Sequence, residues 1–204
     1  MINRSIAIAL AAGFLLGAIW LVALRYVTYK NDAVHYHANF ALYINGQREE
    51  FKSFTYYEEV AACTSDAVDN PKVRVHMHDQ NNHLIHVHAS GVTWGHFFAN
   101  LGFTLGDTVL KTDNGIFADG TDGNKLEFLL NGQKVNGIAN KIITSEDTLL
   151  INYGKDSEDT LKQRYDGIPH DAGVANTKQD PSTCSGSEDP TSLERLKKSI
   201  GLGH

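Results

Sequence analysis

Six histidines stand in three His-x-His pairs, a pattern that could support metal chemistry. They are His35, His37, His76, His78, His86 and His88. In an extended strand, residues two apart share a face, so both members of a pair point the same way. Val75 and Met77 alternate with the second pair, just as Ile85 and Val87 alternate with the third. If the two strands form a hairpin that buries these apolar residues against one core, all four of its imidazoles lie on the opposite face.

A register that places His76 opposite His86, and His78 opposite Leu84, satisfies this alternation. Facing Cβ atoms are then roughly 4.5–5.5 Å apart, close enough for the rings to converge on one ion. Neutral imidazole binds borderline divalent metals at about 2.0–2.1 Å, and three or four converging nitrogens suit zinc, copper or nickel. We therefore predict a transition-metal site for copper or zinc. Its candidate ligands are His76, His78 and His86 on one shared ion, with His88, His35 and His37 as further members. The alternative is that these are polar residues of a half-exposed sheet.

The strand that carries His35 and His37 follows the same rule. The even positions of residues 36–44 are Tyr, Ala, Phe, Leu and Ile and form one apolar face, while the histidines lie on the other. Asn45-Gly46 then predicts a type I′ hairpin turn, with a return strand over residues 47–54. If this strand lies beside the 73–88 hairpin, His35 and His37 complete the site. If it does not, they form a second, weaker site.

Residues 1–30 are predicted to be a membrane anchor. The run from Ser5 to Leu24 has 20 residues without a charge, which matches a hydrocarbon core of about 30 Å. A cleaved secretory signal is the alternative, but its apolar region is normally only about 7–15 residues and ends in a small-x-small site. This run is longer and reaches Arg25 without a clear cleavage pair, so an uncleaved signal anchor is favoured.

The two cysteines, Cys63 and Cys184, are far apart and form no Cys-x-x-Cys motif. They predict one disulfide in an oxidising compartment, the alternative being two unrelated buried thiols. Arg4 lies on one side of the anchor and Arg25 on the other, so positive charge does not fix its orientation. The amino-terminal position of the anchor and the cysteines together predict a single-pass protein of the cell membrane, with an extracytoplasmic ectodomain.

The predicted fold class is α+β: an N-terminal transmembrane helix, a small mainly-β ectodomain with one short core helix, and a C-terminal helix. The His-rich ectodomain is assigned to residues 31–155. Residues 156–204 are assigned to a polar, loosely ordered tail whose helix over 191–200 is expected to dock on the ectodomain. The core helix is expected to start at the N-cap Thr93 and stop at Gly102, burying its aromatic face and leaving His96 in solvent.

Two further strand segments are predicted after this helix, over residues 125–135 with a turn at Asn131-Gly132, and over residues 147–153. Residues 113–123 are rich in Asp, Asn and Gly but lack the spacing of a calcium-binding loop, so a flexible surface loop is expected. The formal charge of −6 and the lack of a basic stripe exclude nucleic acid as a predicted partner. The predicted partners are a metal ion and the lipid bilayer.

The order of these motifs resembles a family of uncharacterised, membrane-anchored, His-rich exported prokaryotic proteins. The resemblance covers about residues 33–155 and consists of a His-x-His strand, a Leu-His-Thr-His-Asp turn, an Ile-Ile-His-Val-Glu strand and a Leu-Gly-x-Phe-Phe helix. His76, His78, Asp79 and His86 match the family's pattern, whereas His88 stands where that pattern has Glu. The resemblance implies an exported His-rich domain and carries no reaction with it.

Three functions are compatible with the sequence. The first is a membrane-anchored extracytoplasmic protein that captures or delivers copper or zinc; soft ligands for Cu(I) are nearly absent, since Met77 is the one methionine after the anchor. The second is a metalloenzyme in which three histidines hold the ion, water fills an open position, and Asp79 or Glu127 acts as base. The third is a structural module of the cell envelope whose histidines are incidental.

Overall fold

The computed structural model describes residues 3–29, 34–57, 70–178 and 191–202. The helices are α1 (Arg4–Thr28), α2 (Pro71–Arg74), α3 (Trp94–Asn100), α4 (Glu158–Asp166), α5 (Ala172–Asn176) and α6 (Ser192–Ser199). The strands are β1 (Tyr36–Ile44), β2 (Gln47–Arg48), β3 (Val75–His76), β4 (Leu84–Val87), β5 (Thr104–Leu105), β6 (Val109–Thr112), β7 (Gly115–Ala118), β8 (Lys125–Leu130), β9 (Gln133–Lys134) and β10 (Thr148–Gly154). Two compact units contain them: Met1–Asp32 with Ser187–His204, and Ala33–Gly186.

The first unit consists of α1 and α6. α1 is a 25-residue helix that contains an 18-residue stretch with a mean hydropathy of 2.5, and none of its residues is buried. It is therefore apolar and long enough to cross a membrane, as predicted; a signal sequence has the same properties. α6 lies where a helix was predicted, but it belongs to the unit of α1 rather than to the ectodomain on which it was expected to dock. The Lys198 ammonium donates a hydrogen bond of 3.1 Å to the Tyr29 hydroxyl.

The second unit is built on one sheet with the strand order β3-β4-β1-β10-β8-β9, and β2 pairs with the far end of β1. β1 and β10 run parallel, and the other pairs in this sheet are antiparallel. Both predicted Asn-Gly hairpins are present, with Asn45 and Asn131 at positive φ as a type I′ turn requires. The mainly-β α+β fold with a short core helix is therefore confirmed.

One face of this sheet carries the main core. The even positions of β1 contribute Ala38, Phe40 and Leu42, which are fully buried. α3 closes this core with its aromatic side, as predicted, because Thr93 caps its first turn and Trp94, Phe97 and Phe98 face inward. The odd positions of β1, which include His37, are consequently turned to the other face of the sheet.

Two helices, α4 and α5, pack against different parts of that other face. Towards the end of β1, Ala41 packs with Leu150 and with Leu161 of α4 in a second, smaller apolar cluster. The Arg164 guanidinium of α4 binds the Asp156 carboxylate through two hydrogen bonds of 2.7 and 2.9 Å. The start of β1 carries the histidines, beside α5. Neither α4 nor α5 was expected from the sequence, since few residues of α4 are apolar and α5 is only five residues long.

The expected flexible loop over residues 113–123 is wrong in part. β5, β6 and β7 form a separate three-stranded antiparallel sheet, and Thr112 and Gly115 are paired across a tight turn. The Asn114-Gly115 dipeptide in this turn is a hairpin signal that the polar composition of the segment concealed. The predicted disulfide between Cys63 and Cys184 lies outside the described residues.

Candidate metal centre

Three neighbouring strands bring the histidines to one place. β4 lies between β3 and β1 in the sheet. Across these strands, His86 faces His76 on one side and His37 on the other. The predicted pairing of His76 with His86 is confirmed, and the strand of His35 and His37 does lie beside the hairpin.

Each of the six histidine rings lies against at least two of the others. The His86 ring centroid is 4.0 Å from that of His78 and 4.3 Å from that of His37. His88 stacks between two rings, with His35 at 4.7 Å and His76 at 5.1 Å. Four of the six are buried, namely His37, His76, His78 and His86. We call these six residues the histidine cluster.

His78 reaches the histidine cluster from a turn rather than from a paired strand. β3 ends at His76, so the predicted pairing of His78 with Leu84 is not made. The chain then turns through Asp79 and Gln80, both at positive φ, and the Asn81 amide donates to the His78 carbonyl at 2.8 Å. This geometry is that of a type I′ turn, which directs the chain back into β4.

Hydrogen bonds to the main chain orient one of the rings. His76 Nδ1 lies 2.6 Å from the Lys72 carbonyl oxygen, which can only accept, so Nδ1 carries the proton. The lone pair of His76 is therefore on Nε2, and this atom lies 3.3 Å from His78 Nε2. A ligating histidine is commonly oriented in this way by an acceptor on its other nitrogen.

A second chain of hydrogen bonds starts at α5. The Asn176 Oδ1 atom accepts from the His37 backbone amide and from His37 Nδ1, both at 2.8 Å. His37 Nε2 then holds a lone pair and lies 3.0 Å from His86 Nδ1, which donates to it. This relay leaves the lone pair of His86 on Nε2. Sequence reasoning missed Asn176, which is 139 residues from His37 and carries no motif.

α5 is itself held against β1 by polar contacts beside the histidine cluster. Asn39, two residues after His37, accepts from the Ala172 amide at 3.0 Å and donates to Asp171 at 2.7 Å. His83 contacts the same carboxylate at 3.1 Å. Burial alone would raise the pKa of Asp171, but the hydrogen bonds from His83 and Asn39 outweigh it and lower this pKa.

Two groups of three histidines place their ligand nitrogens close enough to share an ion. One group is His35, His86 and His88, and the other is His76, His78 and His88; within each group the nitrogens all lie within 4.8 Å of one another. Among the described residues, His37 and Asp79 belong to neither group. We expected His76, His78 and His86 to share one ion. In the structure His86 belongs to a different group from His76 and His78, and His88 is common to both groups.

Electrostatics limit what the histidine cluster holds. Burial, together with the neighbouring rings of His78, His37, His76 and His88, moves the pKa of His86 far below its ordinary value, so this ring stays neutral. Each of the two groups consists of neutral nitrogen donors only. Two divalent ions joined through one imidazole would be about 6 Å apart and would repel by about 11 kcal/mol at an effective dielectric constant of about 20.

Two other residues of the sequence analysis lie apart from the cluster. His96 is exposed on α3, as expected, where its ring accepts from the Thr93 amide at 3.2 Å. Glu127 on β8 accepts a hydrogen bond of 2.8 Å from the Lys134 ammonium. Across the sheet, Glu127 faces Asn152 of β10, which in turn faces Tyr43 near the end of β1. Six residues of strand separate Tyr43 from His37, about 20 Å, so Glu127 is too distant to act as a base here.

Comparisons with protein-family models, with curated proteins and with solved structures gave no match. The family resemblance carried by the histidine motifs therefore stays a prediction. What the fold and the site define is a class: an α+β protein with an apolar N-terminal helix and a histidine cluster that could hold a metal ion.

Proposed function

We propose that this chain is a membrane-anchored protein that binds a divalent transition metal, capturing or delivering it on the extracytoplasmic side. The observation that carries the proposal is the histidine cluster itself, in which six imidazoles on or next to three adjacent strands lie together and five of them form two groups of ligand spacing.

A purely structural role accounts poorly for this arrangement. A buried ring that resists protonation, as the His86 ring does, destabilises the folded state when the pH falls below the ordinary histidine pKa of about 6.5. An apolar face would pack the same strands without that penalty. A concentration of such unfavourable choices in one place is typical of a functional site, and bound metal is the ligand that neutral imidazoles recognise.

The donor chemistry favours zinc first and Cu(II) second. Met77 is fully buried in the core on the opposite face, so it offers no thioether to the cluster. In a tetrahedral site with bonds of about 2.0–2.1 Å, two ligand nitrogens are about 3.3–3.4 Å apart, whereas neighbours in a square-planar site are about 2.8–3.0 Å apart. The 3.3 Å between His76 Nε2 and His78 Nε2 fits the tetrahedral spacing that zinc prefers.

Binding is favoured over catalysis because no general base is placed at the cluster among the described residues. Asp79 is exposed and outside both histidine groups, and Glu127 is paired with Lys134 far along the sheet. We further propose that the chain shares its exported His-rich domain with the family it resembles, His88 supplying an imidazole where that family's pattern has Glu.

Titration of the full chain in detergent tests the metal. The protein is stripped with a chelator and titrated with Zn(II) and Cu(II) by calorimetry; we expect submicromolar binding of both. The variant His76→Ala/His86→Ala/His88→Ala removes ligands from both groups and should abolish binding, while the exposed His96→Ala is the matched control and should bind like the wild type. Wild-type affinity no better than that of the triple variant would refute the proposal.

Sidedness has its own test. Protease added to sealed right-side-out membrane vesicles should digest the ectodomain, and inverted vesicles should protect it. The opposite pattern would place the histidine cluster in the cytoplasm and overturn the extracytoplasmic assignment, without touching the metal proposal.

A further inference from the structure

His88 holds a special position because it belongs to both histidine groups. The remaining ligands divide cleanly: His35 and His86 on one side, His76 and His78 on the other. The His88 ring is nearly parallel to both flanking rings, at 8° to His35 and 17° to His76. It therefore stands between the two groups rather than at the edge of one.

The two groups exclude each other. A neutral imidazole offers one lone pair, so His88 binds one ion at a time. Two ions would require a deprotonated, bridging His88, and the two dications would repel each other across its ring. One chain is thus built for one ion with two possible sets of partners.

We propose that the two groups are alternative positions of a single ion, which exchanges between His35/His86 and His76/His78 while His88 remains bound to it. This inference rests on the proposed metal binding. Each exchange consists of two ligand substitutions: the bonds from the ion to His35 and His86 break as bonds to His76 and His78 form, or the reverse. Each departing imidazole keeps its lone pair, and the charge of the ion is unchanged.

Both positions are prepared for the ion. On one side, the Lys72 carbonyl fixes the proton of His76 on Nδ1. On the other side, the relay from Asn176 through His37 fixes the proton of His86 on Nδ1. Both His76 and His86 therefore present Nε2. Because His76 and His86, one member of each set, are held in the same tautomer, we expect the two sets to have similar affinities, so that the ion moves across the face of the sheet without a deep trap on either side.

Removing partners tests the exchange. In the full chain, His35→Ala/His86→Ala leaves one group intact, and His76→Ala/His78→Ala leaves the other. Each double variant should still bind one Zn(II), no more than about tenfold more weakly than the wild type. His88→Ala, a single substitution, breaks both groups and should weaken binding by about 100-fold or more. The order is the signature, because one removal does more harm than two. The exposed His96→Ala, which lies apart from the histidine cluster, is the control.

Co(II) in place of zinc gives an independent measurement. Each double variant should show its own visible absorption spectrum, and the wild-type spectrum should be a weighted sum of the two at one ion per chain. Circular dichroism of the metal-free variants checks that they fold.

The outcomes separate cleanly. Two ions per wild-type chain would overturn the exchange but leave metal binding intact. A folded double variant that loses binding as severely as His88→Ala would indicate a single fixed site and would also overturn it. No binding by the wild type would refute the proposed function itself.

Discussion

Asn176 is the residue whose replacement tests how the histidine cluster is organised. It lies on α5, away from both histidine groups, yet its Oδ1 accepts two hydrogen bonds from His37. Asn176→Ala removes that acceptor and leaves the nitrogens of both groups in place. The relay to His86 then has no fixed starting point, and His86 is free to present either nitrogen.

The expected magnitudes follow from the two bonds lost. Removing the residue that orients a ligating histidine typically weakens metal binding by about 10–100-fold, or about 1.4–2.8 kcal/mol. We expect this loss in the His76→Ala/His78→Ala background, in which zinc binding is measured, because the ion then has only the group of His35, His86 and His88. The metal-free protein should also lose about 1–3 kcal/mol of unfolding free energy, because a hydrogen bond contributes about 0.5–1.5 kcal/mol and the His37 donors are buried. Asn176→Asp keeps an acceptor oxygen and should retain affinity close to that of the wild type.

The assay is zinc competition against a chromogenic chelator, combined with urea unfolding of the metal-free full chain. Thr177→Ala is the matched control, since this neighbouring exposed residue bonds only within α5, to the Val174 carbonyl at 2.8 Å. If Asn176→Ala binds zinc like Thr177→Ala, the relay does not set the ligand atom of His86. If Asn176→Asp binds zinc as weakly as Asn176→Ala, an acceptor oxygen at this position is not sufficient to orient His37.

Three other predictions concern stability and are checked by urea unfolding. Arg164→Ala should cost about 2–4 kcal/mol because it strands the half-buried Asp156 carboxylate, whereas a loss below about 1 kcal/mol would show that the pair is solvated. Gly95→Ala places a Cβ 2.6 Å from the Ala139 carbonyl oxygen and should cost about 1–3 kcal/mol through a forced shift of α3; an unchanged midpoint would contradict this. Since the folded pKa of His86 lies below its unfolded pKa of about 6.5, the unfolded chain takes up the proton first. Metal-free stability should therefore fall between pH 7.5 and 5.5, by up to about 1.4 kcal/mol per pH unit, and a flat profile would refute the depressed pKa.

Local pattern was sufficient for the elements that lie next to the histidines. Alternation along residues 36–44 and 73–88 identified the face of each His-x-His pair, and one core requirement then fixed the register of His76 with His86. The Asn-Gly turns and the cap at Thr93 are similarly local, because their backbone geometry depends on the residues at the turn or the cap.

What the sequence did not reveal depends on contacts between distant segments. The grouping of nitrogens around His88 depends on which strand lies on each side of β4, and no local spacing encodes that order. α4 is mostly polar and docks through a few residues such as Leu161 and Arg164, and α5 is only five residues long, so both give too weak a periodic signal. Asn176 is an ordinary amide until the fold brings it to His37.

Both ends of the chain belong to the same compact unit, since residues 1–32 group with residues 187–204. The second unit, residues 33–186, is therefore an insertion between the two segments of the first unit and is joined to them by two connections. A proteolytic cut in the second connection leaves it covalently attached to α1. A cut in the first leaves it held through α6, an eight-residue helix whose association with α1 is non-covalent and whose length is too short for independent stability. Release of the second unit from α1 therefore depends on which of the two connections is cleaved, and it requires a cut in the N-terminal one.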